Sequence, residues 1–506
     1  MKKYIGIILF ICAMIVGLCT YKNYGISWDE GFQRHLGLMT YHYFSYGRDS
    51  LMNCNNSQYG AAFELPLIII EKGFHLKDSR EIFLMRHLVT HIFFLISALV
   101  FFLLIDRLFK SKVLASIGFL LLVTHPVIYS HSFYNSKDIV FLSMNCICYY
   151  LALVAFEKNK VKNYVFLGIA CGLFTNLRIM GCLLTLCLML FLLADYIRAR
   201  GDKTTKKQII RYFLAYFISW FVILYLVSPY LYPNPIQNIV YIFRDMASHY
   251  PVQVIFNGKS VNPQNLPYYA ITIFGITTPM IYLGLGILGT VFLVVDFCKN
   301  PLPFFIDKNK RNITLYAIGF FQPLLSIIIF HSEIFDGWRH LLFIYPSFVL
   351  LCIYGLWRLS NKILKYASIT VACIGITSTI AFIIFNFPYE NVYFNRLAGN
   401  ENPENIRKKW ETDYWGNSYF QALQYIASHD SASHISVRVV GLAGVENAYL
   451  LKPEDRKRMI VSQDASNPDF VVAWYKNHPQ DYDWENREVF SIKAMNSKII
   501  SVFKLK

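Results

Sequence analysis

The chain has 506 residues, of which 55% are hydrophobic and only 16% are charged. Soluble globular proteins usually carry about 25% charged residues, so this composition excludes an ordinary soluble protein and indicates a membrane protein. The net charge of +16 does not indicate nucleic-acid binding, because residues 401–506 hold 14 Lys and Arg against 14 Asp and Glu. The surplus lies in short loops between apolar runs, which is typical of membrane topology.

Apolar runs of a length suited to a hydrocarbon core of about 30 Å recur along the chain. They predict an all-α polytopic membrane protein with eleven transmembrane helices. We place these helices near residues 4–20, 83–105, 113–129, 139–156, 163–177, 180–197, 211–229, 269–295, 313–331, 340–357 and 366–386.

The distribution of Lys and Arg predicts the orientation. With eleven crossings and the N-terminus inside, every inner loop is basic, as the positive-inside rule requires. Merging 163–177 and 180–197 into one span would instead place the basic loop 198–211 outside. We therefore expect a multi-pass protein of the cytoplasmic (inner) membrane, with the N-terminus inside and the C-terminus outside.

The outer segments are expected to carry structure of their own, beside a transmembrane domain of residues 1–386. Both long outer loops, 21–82 and 230–268, are predicted to contain juxtamembrane helices, and the second is expected to be partly irregular. In the first loop, apolar residues recur every three or four positions and would form a stripe suited to lying on a membrane surface. Its members are Trp28, Phe32, Leu36, Met39 and Tyr43.

The tail, residues 387–506, has mixed charges and predicts a small extracytoplasmic α/β domain. Helical signals occur at Ser418–Ser428. The β-like runs are His434–Val440, Phe470–Trp474, Val489–Lys493 and Lys498–Lys504.

Two adjacent carboxylates, Asp29 and Glu30, follow the first apolar run in the segment Gly25-Ile26-Ser27-Trp28-Asp29-Glu30-Gly31. This edge of the membrane is where an enzyme could meet both a lipid-borne and a water-borne substrate. A structural explanation is equally good from the local sequence, because Ser27 and Glu30 fit a capping box at a helix start.

A second polar motif, His131-Ser132-Phe133-Tyr134-Asn135-Ser136-Lys137-Asp138, lies between the third and fourth predicted helices. A plain turn needs only a few hydrogen-bonding side chains, whereas seven of these eight can form hydrogen bonds. Lys137 is the natural anion contact, and Asp138 fits the N-cap of the next helix. A simple polar hairpin turn remains the alternative.

Two further motifs place cations at the predicted outer face. Arg178 lies among apolar residues between two membrane helices, where it is costly unless it has a function or reaches the interface by snorkelling. The segment from His331 to His340 contains Glu333, Asp336, Trp338 and Arg339. It fits either a divalent metal, which its ligand spacing does not favour, or an Arg339/His340 pair directed at a phosphate.

Together these motifs point to one chemistry, because the predicted topology brings all four to the same side. A carboxylate facing several cations is the inventory of an inverting glycosyl transfer. One base deprotonates an acceptor hydroxyl, and the cations stabilise a departing lipid phosphate.

The order of these features resembles that of the GT-C membrane glycosyltransferases, close to the branch of protein O-mannosyltransferases and aminoarabinose transferases. The matching segments are Ser27-Trp28-Asp29-Glu30-Gly31, Tyr134-Asn135-Ser136-Lys137-Asp138, Asn176-Leu177-Arg178, Phe335-Asp336-Gly337-Trp338-Arg339-His340, Tyr393-Phe394-Asn395-Arg396-Leu397-Ala398-Gly399 and Glu411-Thr412-Asp413-Tyr414-Trp415-Gly416.

The resemblance implies a donor sugar carried on a polyprenyl phosphate, with Asp29 as catalytic base and inversion at the anomeric carbon. Glu30 would help to orient the acceptor or share its hydrogen bonds, and the donor phosphate would be held by Lys137, Arg178, Arg339 and His340. The remaining candidates for the substrate site are His131, Tyr134, Asn135, Asp138, Glu333, Asp336 and Trp338. No metal or other cofactor is implied.

The implied partners are membrane lipids, the lipid-linked donor, and a lipid, glycan or protein acceptor. One alternative is a polymerase or ligase of lipid-linked glycans. Another is a lipid or solute transporter, which usually places polar groups near the membrane midplane and often shows paired repeats. The charges of these motifs fall at helix ends, and the sequence shows no repeat.

Overall fold

A computed structural model describes residues 4–47, 51–52, 54, 57–247, 252–332, 334–399 and 404–506. Most of the first 386 residues form helices, because a helix satisfies every backbone hydrogen bond within the segment and so can cross lipid. The helices of this part are Ile5–Thr20, Glu30–Tyr46, Glu64–Gly73, Ser79–Phe109, Lys112–Val123, Pro126–Tyr134, Asp138–Lys158, Val161–Leu177, Cys182–Arg198, Lys203–Leu226, Pro235–Ala247, Tyr269–Thr277, Met280–Lys299, Leu302–Ile306, Lys308–Phe330, Tyr345–Arg358 and Lys362–Asn386.

The predicted multi-pass architecture is confirmed. Within the described residues, nine helices are long and apolar enough to cross a membrane, or ten if the bent pair Lys112–Val123 and Pro126–Tyr134 counts as one span. The helix Val161–Leu177 is apolar but shorter. These segments occupy the eleven predicted positions, and 163–177 is separated from 180–197 by a break at Arg178.

Two predicted helices differ from the structure at proline. The helix predicted at 113–129 bends by 65° before Pro126 and continues to Tyr134, so the first half of the second polar motif is helical. The helix predicted at 269–295 is interrupted at Thr278 and Pro279. Proline lacks a backbone N–H and disfavours the helical conformation of the preceding residue, which explains both breaks.

Ion pairs join the helix ends that were predicted to face inward. They link Asp106 to Lys112 (3.0 Å), Arg107 to Glu157 (2.5 Å), Asp195 to Arg311 (2.6 Å) and Asp296 to Arg358 (2.7 Å). The polar motifs of the other helix ends meet one another instead, as described below. The predicted separation of the two sets of loops is therefore present in the structure.

The first outer loop contains two helices, Glu30–Tyr46 and Glu64–Gly73, as expected. The predicted apolar stripe does not lie entirely on a membrane surface, because Leu36 is buried with Leu51 and Ala61. The second outer loop contains a helix, as predicted, and also a strand hairpin that was not predicted. It holds the helix Pro235–Ala247 and an antiparallel hairpin of strands Val254–Phe256 and Lys259–Val261.

The tail contains the predicted α/β domain. Its helices are Glu404–Lys409, Tyr419–His429, Leu442–Ala448 and Pro453–Arg458, and its five strands are Ile435–Val440, Met459–Ser462, Phe470–Trp474, Glu488–Ala494 and Ser497–Lys504. Strand Ile435–Val440 pairs in parallel with Met459–Ser462 on one side and with Phe470–Trp474 on the other, and the last two strands add antiparallel pairs. Met459–Ser462 was not predicted.

The segment between the last membrane helix and the sheet packs against the membrane helices. Asn395 Nδ2 donates to the carbonyl oxygens of Gly275 and Thr278 at 2.6 and 2.7 Å, where the helix Tyr269–Thr277 ends. Tyr24 OH donates to the buried Glu390 at 3.0 Å. Residues 387–417 therefore connect the α/β domain to the end of the helix bundle that carries the polar motifs.

Candidate active site

Asp29 lies directly before the helix Glu30–Tyr46 and faces Arg339. Arg339 Nη1 donates to Asp29 Oδ2 at 2.6 Å, across 310 residues of sequence. Asp29 is 19% exposed and Arg339 only 4%, so the carboxylate lies at the accessible side of the pair. The structure thus brings the first and fourth polar motifs together.

Glu30 points to different partners. Its Oε2 accepts from the backbone N–H of Ser27 at 3.0 Å and contacts His87 Nε2 at 3.2 Å. This is one half of the expected capping box, because the Ser27 hydroxyl donates to the carbonyl oxygen of Tyr134 instead of capping the helix. Glu30 therefore fixes the turn that presents Asp29, and its described partners include none of the site's Lys and Arg residues.

Arg339 also belongs to a chain of alternating charges. Its Nη2 lies 3.2 Å from Asp336 Oδ2, an ion-pair distance without hydrogen-bond alignment, and Asp336 Oδ1 accepts from Lys476 Nζ at 2.6 Å. Asp336 and Gly337 both have positive φ, at 55° and 72°. This left-handed turn, which favours Gly and tolerates Asp, carries the chain back so that Asp336 and Arg339 are neighbours.

Aromatic rings surround the Arg339 guanidinium. The rings of Trp28, Phe335 and Trp415 lie with their centroids 5.4, 5.1 and 4.7 Å from its central carbon. Such contacts are favourable for a cation that has lost its water. They also shield the pair with Asp29 from solvent, which strengthens its electrostatic interaction.

The second and third motifs form an adjoining cluster. Arg178 donates to Asp138 Oδ1, and Asn135 donates to Asp138 Oδ2 at 3.1 Å. His131 lies one helical turn before Asn135, and its Nε2 accepts from Trp415 Nε1 at 2.9 Å. The cluster therefore also touches the tail, through an indole that can only donate.

Lys137 is the one cation of these motifs that has no carboxylate partner among the described residues. Its Nζ lies 3.7 Å from the centroid of the Tyr59 ring, in the first outer loop. Burial and the positive charges of Arg178 and Arg339 lower its pKa to about 8, although Asp29 and Asp138 act in the opposite sense. Lys137 is therefore close to both clusters and is available to an anion.

The other predicted residues differ in their surroundings. His340 packs its ring against Phe335, and its buried Nδ1 has no hydrogen-bond partner among the described residues. Trp338 is a core residue whose Nε1 donates to Thr277 at 2.8 Å, and Tyr134 is buried with its hydroxyl beside Ser130. Glu333 lies outside the described residues.

Asn176 links the first outer loop to the residues just before the second outer loop, beside Arg178. Its Oδ1 accepts from the N–H of Ala62 at 3.0 Å, and its Nδ2 donates to the carbonyl of Val227 and the hydroxyl of Ser228. Gly60 passes so close that an added Cβ would lie 2.0 Å from the Asn176 carbonyl oxygen. Only glycine fits this approach, which holds the neighbouring Tyr59 over Lys137.

Several residues of the site were not predicted. Glu64 accepts from Ser136 at 2.5 Å and pairs with the buried Arg86 at 2.6 Å, which braces the turn before Lys137. Lys476 follows a strand in the α/β domain and carries no motif that could have identified it. Trp415 lies in the segment 411–416, which only the resemblance to the GT-C family distinguishes in the sequence.

A metal site is not evident in the part of the chain that the structure describes. No three His, Cys, Asp or Glu residues there are grouped so that they could hold an ion. Asp336, a member of the motif for which a metal was considered, is instead bound to Lys476 and close to Arg339. The absence of a metal requirement stays a prediction.

Residues 69–232 match the family model described as dolichyl-phosphate-mannose-protein mannosyltransferase. No curated protein matches the chain in sequence. The apo crystal structure of ArnT from Cupriavidus metallidurans is similar, with a TM-score of 0.51 and 12% identity over 98% of this chain and 97% of that chain. ArnT bound to undecaprenyl phosphate gives 0.47 and 10% over the same shares. An Archaeoglobus fulgidus oligosaccharyltransferase tethered with an acceptor peptide gives 0.49 and 10%, over 94% and 69%.

Proposed function

We propose that this chain, whose resemblance to the GT-C membrane glycosyltransferases is confirmed by its fold, transfers a sugar from a polyprenyl phosphate to an acceptor hydroxyl. The observation that carries the proposal is Lys137, a sheltered cation without a carboxylate partner in the described chain, close to Asp29. The matched family segment contains Lys137, Asp138 and Arg178, and its description specifies a dolichyl-phosphate-linked sugar donor.

The charge balance of the site fits such a donor. Three ionised carboxylates, of Asp29, Asp138 and Asp336, face four cations, of Lys137, Arg178, Arg339 and Lys476. The nearby carboxyl of Glu411 adds no charge at neutral pH, because burial raises its pKa to about 8. The excess is a single positive charge, and Lys137 is the cation that is left over. A polyprenyl-phosphate sugar is a phosphodiester with one negative charge, so binding it would neutralise the site.

The reaction is a single displacement. Asp29 takes the proton of the acceptor hydroxyl, and the oxygen attacks the anomeric carbon from the side opposite the phosphate. The bond from this carbon to the phosphate oxygen breaks, and the electron pair leaves with the polyprenyl phosphate. The configuration inverts, and Lys137 with Arg178 stabilises the second negative charge that the leaving phosphate acquires.

Arg339 and Glu30 position the base in this scheme. Arg339 holds one oxygen of Asp29, and the other, which has no hydrogen-bond partner among the described residues, is available to the acceptor. Glu30 fixes the preceding turn through Ser27 and His87. We place the reaction at the outer face of the cytoplasmic membrane, because the loops at the opposite helix ends carry the excess of Lys and Arg.

Binding of polyprenyl phosphate tests the proposal without knowledge of the sugar, because this lipid is the product common to all donors of the class. We expect the purified protein to bind it, as measured by thermal shift in detergent. Lys137→Ala should weaken binding about 10-fold or more, since a charge-assisted hydrogen bond contributes about 1.5–3 kcal/mol. The control is Lys112→Ala, which removes a lysine at the opposite helix ends. Equal affinity of the two variants would contradict the phosphate assignment.

The acceptor is best sought in the host. Deletion of the gene should remove one sugar from a surface glycan, lipid or protein, and the wild-type gene should restore it. Asp29→Asn should fail to restore it although the protein is present in the membrane. A complemented strain that regains the sugar with Asp29→Asn would exclude Asp29 as the base.

A further inference from the structure

Lys476 belongs to the α/β domain but reaches into the active site. It lies in the turn that follows strand Phe470–Trp474, and its Nζ is 2.6 Å from Asp336 Oδ1. Lys476 is 16% exposed and Asp336 only 3%, so the pair is sheltered from water. Removing one partner of such a pair leaves a buried charge without compensation.

Asp336 is shared between two cations, Lys476 and Arg339. Arg339 is shared in turn between two carboxylates, because Nη2 faces Asp336 at 3.2 Å and Nη1 donates to Asp29 at 2.6 Å. The charge of Asp336 is largely neutralised by Lys476, so Asp336 competes only weakly with Asp29 for the guanidinium. Without Lys476 the full charge of Asp336 would act on Arg339.

A second group from the tail contacts the same centre. The Trp415 ring lies 4.7 Å from the Arg339 guanidinium carbon, and its indole N–H donates to His131 at 2.9 Å. Lys476 Nζ is also 5.6 Å from the centroid of the Trp28 ring, next to Asp29. The tail thus touches the centre from two places that are far apart in its sequence.

We infer that the C-terminal region completes the catalytic centre, with Lys476 as a positioning residue that keeps Arg339 on Asp29 through Asp336. This inference rests on the proposed function, in which Asp29 is the base. It assigns the α/β domain a place in the reaction itself, in contrast to an appended module that only captures an acceptor or partner.

A double-mutant cycle tests the inference with the full-length protein. Lys476→Met leaves Asp336 free to compete with Asp29 for Arg339, and Asp336→Asn leaves Lys476 free to compete with Arg339 for Asp29. We expect each single variant to lower kcat about 10-fold, equivalent to about 1.4 kcal/mol. The KM for the donor should stay within about twofold, because the phosphate contacts are unchanged. The double variant should return to within about threefold of the wild type, since it leaves Arg339 with Asp29 alone. Lys476→Arg should retain activity.

The matched control is Lys498→Met. Lys498 lies in the same domain and pairs with Glu488 at 2.9 Å, but it has no contact with the site among the described residues. The Lys498→Met variant should be less stable than the wild type but have the same kcat. If Lys476→Met were as active as this control, or if the two single losses multiplied in the double variant, the inference would be overturned while the proposed function stood. If the wild-type protein transferred no sugar from a polyprenyl-phosphate donor, both the inference and the proposed function would be contradicted.

Discussion

Asp29→Asn and Asp336→Asn form a matched pair that separates a catalytic base from a counter-ion. Both carboxylates lie against the same guanidinium of Arg339, at 2.6 and 3.2 Å. Both substitutions keep the shape of the side chain and remove one negative charge. Asn also tolerates the positive φ of position 336, so the backbone should not change there.

The two variants should be similar in stability and different in rate. Each weakens a charge-assisted hydrogen bond, from Arg339 to Asp29 or from Lys476 to Asp336, which costs about 1.5–3 kcal/mol of the free energy of unfolding. Loss of general-base catalysis costs a further factor of about 10²–10⁴ in kcat. At about 1.36 kcal/mol for each tenfold change, this raises the activation free energy by about 2.7–5.4 kcal/mol. Only Asp29→Asn should show this increase.

Transfer is measured by single turnover from a labelled polyprenyl-phosphate sugar, alongside thermal unfolding and binding of polyprenyl phosphate. We expect Asp29→Asn to lose at least 100-fold in rate and Asp336→Asn about 10-fold, with lipid binding retained in both. Equal loss of rate in the two variants would mean that Asp29 serves only to neutralise Arg339. The reasoning would then fail, although the site would still bind the lipid.

Three further predictions concern pH and metal. Lys137 has a pKa of about 8, so kcat/KM for the donor should fall as the pH rises through this value, and Lys137→Arg should remove the decline because Arg stays protonated. Burial raises the pKa of Glu390 from 4.5 to about 8, so the folded protein holds this proton more tightly than the unfolded chain. The folded protein should therefore lose stability as the pH rises from 4.5 to about 8, by about 1.4 kcal/mol per pH unit. Glu390→Gln should flatten this decline in thermal unfolding, and an unchanged slope would contradict the prediction. Transfer should survive chelation; a loss that a divalent ion restores would instead indicate a metal at the motif from His331 to His340.

The sequence was sufficient for the features that repeat along the chain. Apolar runs located the membrane segments because lipid admits only closed hydrogen-bonding patterns, and charge bias separated the two sets of loops. Local polarity also located the motifs of Lys137, Arg178 and Arg339. The breaks at Pro126 and Pro279 were missed, since the apolar composition continues through them.

Local sequence patterns do not predict contacts between distant segments of the chain. Lys476 follows an ordinary strand, and its pairing with Asp336 depends on how the α/β domain packs against the helix ends. The same holds for Glu64, which braces Ser136 across 72 residues. Glu30 shows the opposite case. The capping-box pattern correctly predicted its contact with Ser27, and the family resemblance alone suggested a role in acceptor binding.

The contact between Gly60 and Asn176 has a consequence for how the sequence of this protein can change. Exposed loop positions are generally free to vary in sequence. Gly60 is not, because any side chain there would push on the peptide that leads into Arg178 and on the residues just before the second loop. If the proposed function holds, new acceptor preferences should therefore arise by paired changes in both loops around a fixed glycine and a fixed asparagine, while the residues proposed to hold the phosphate stay the same.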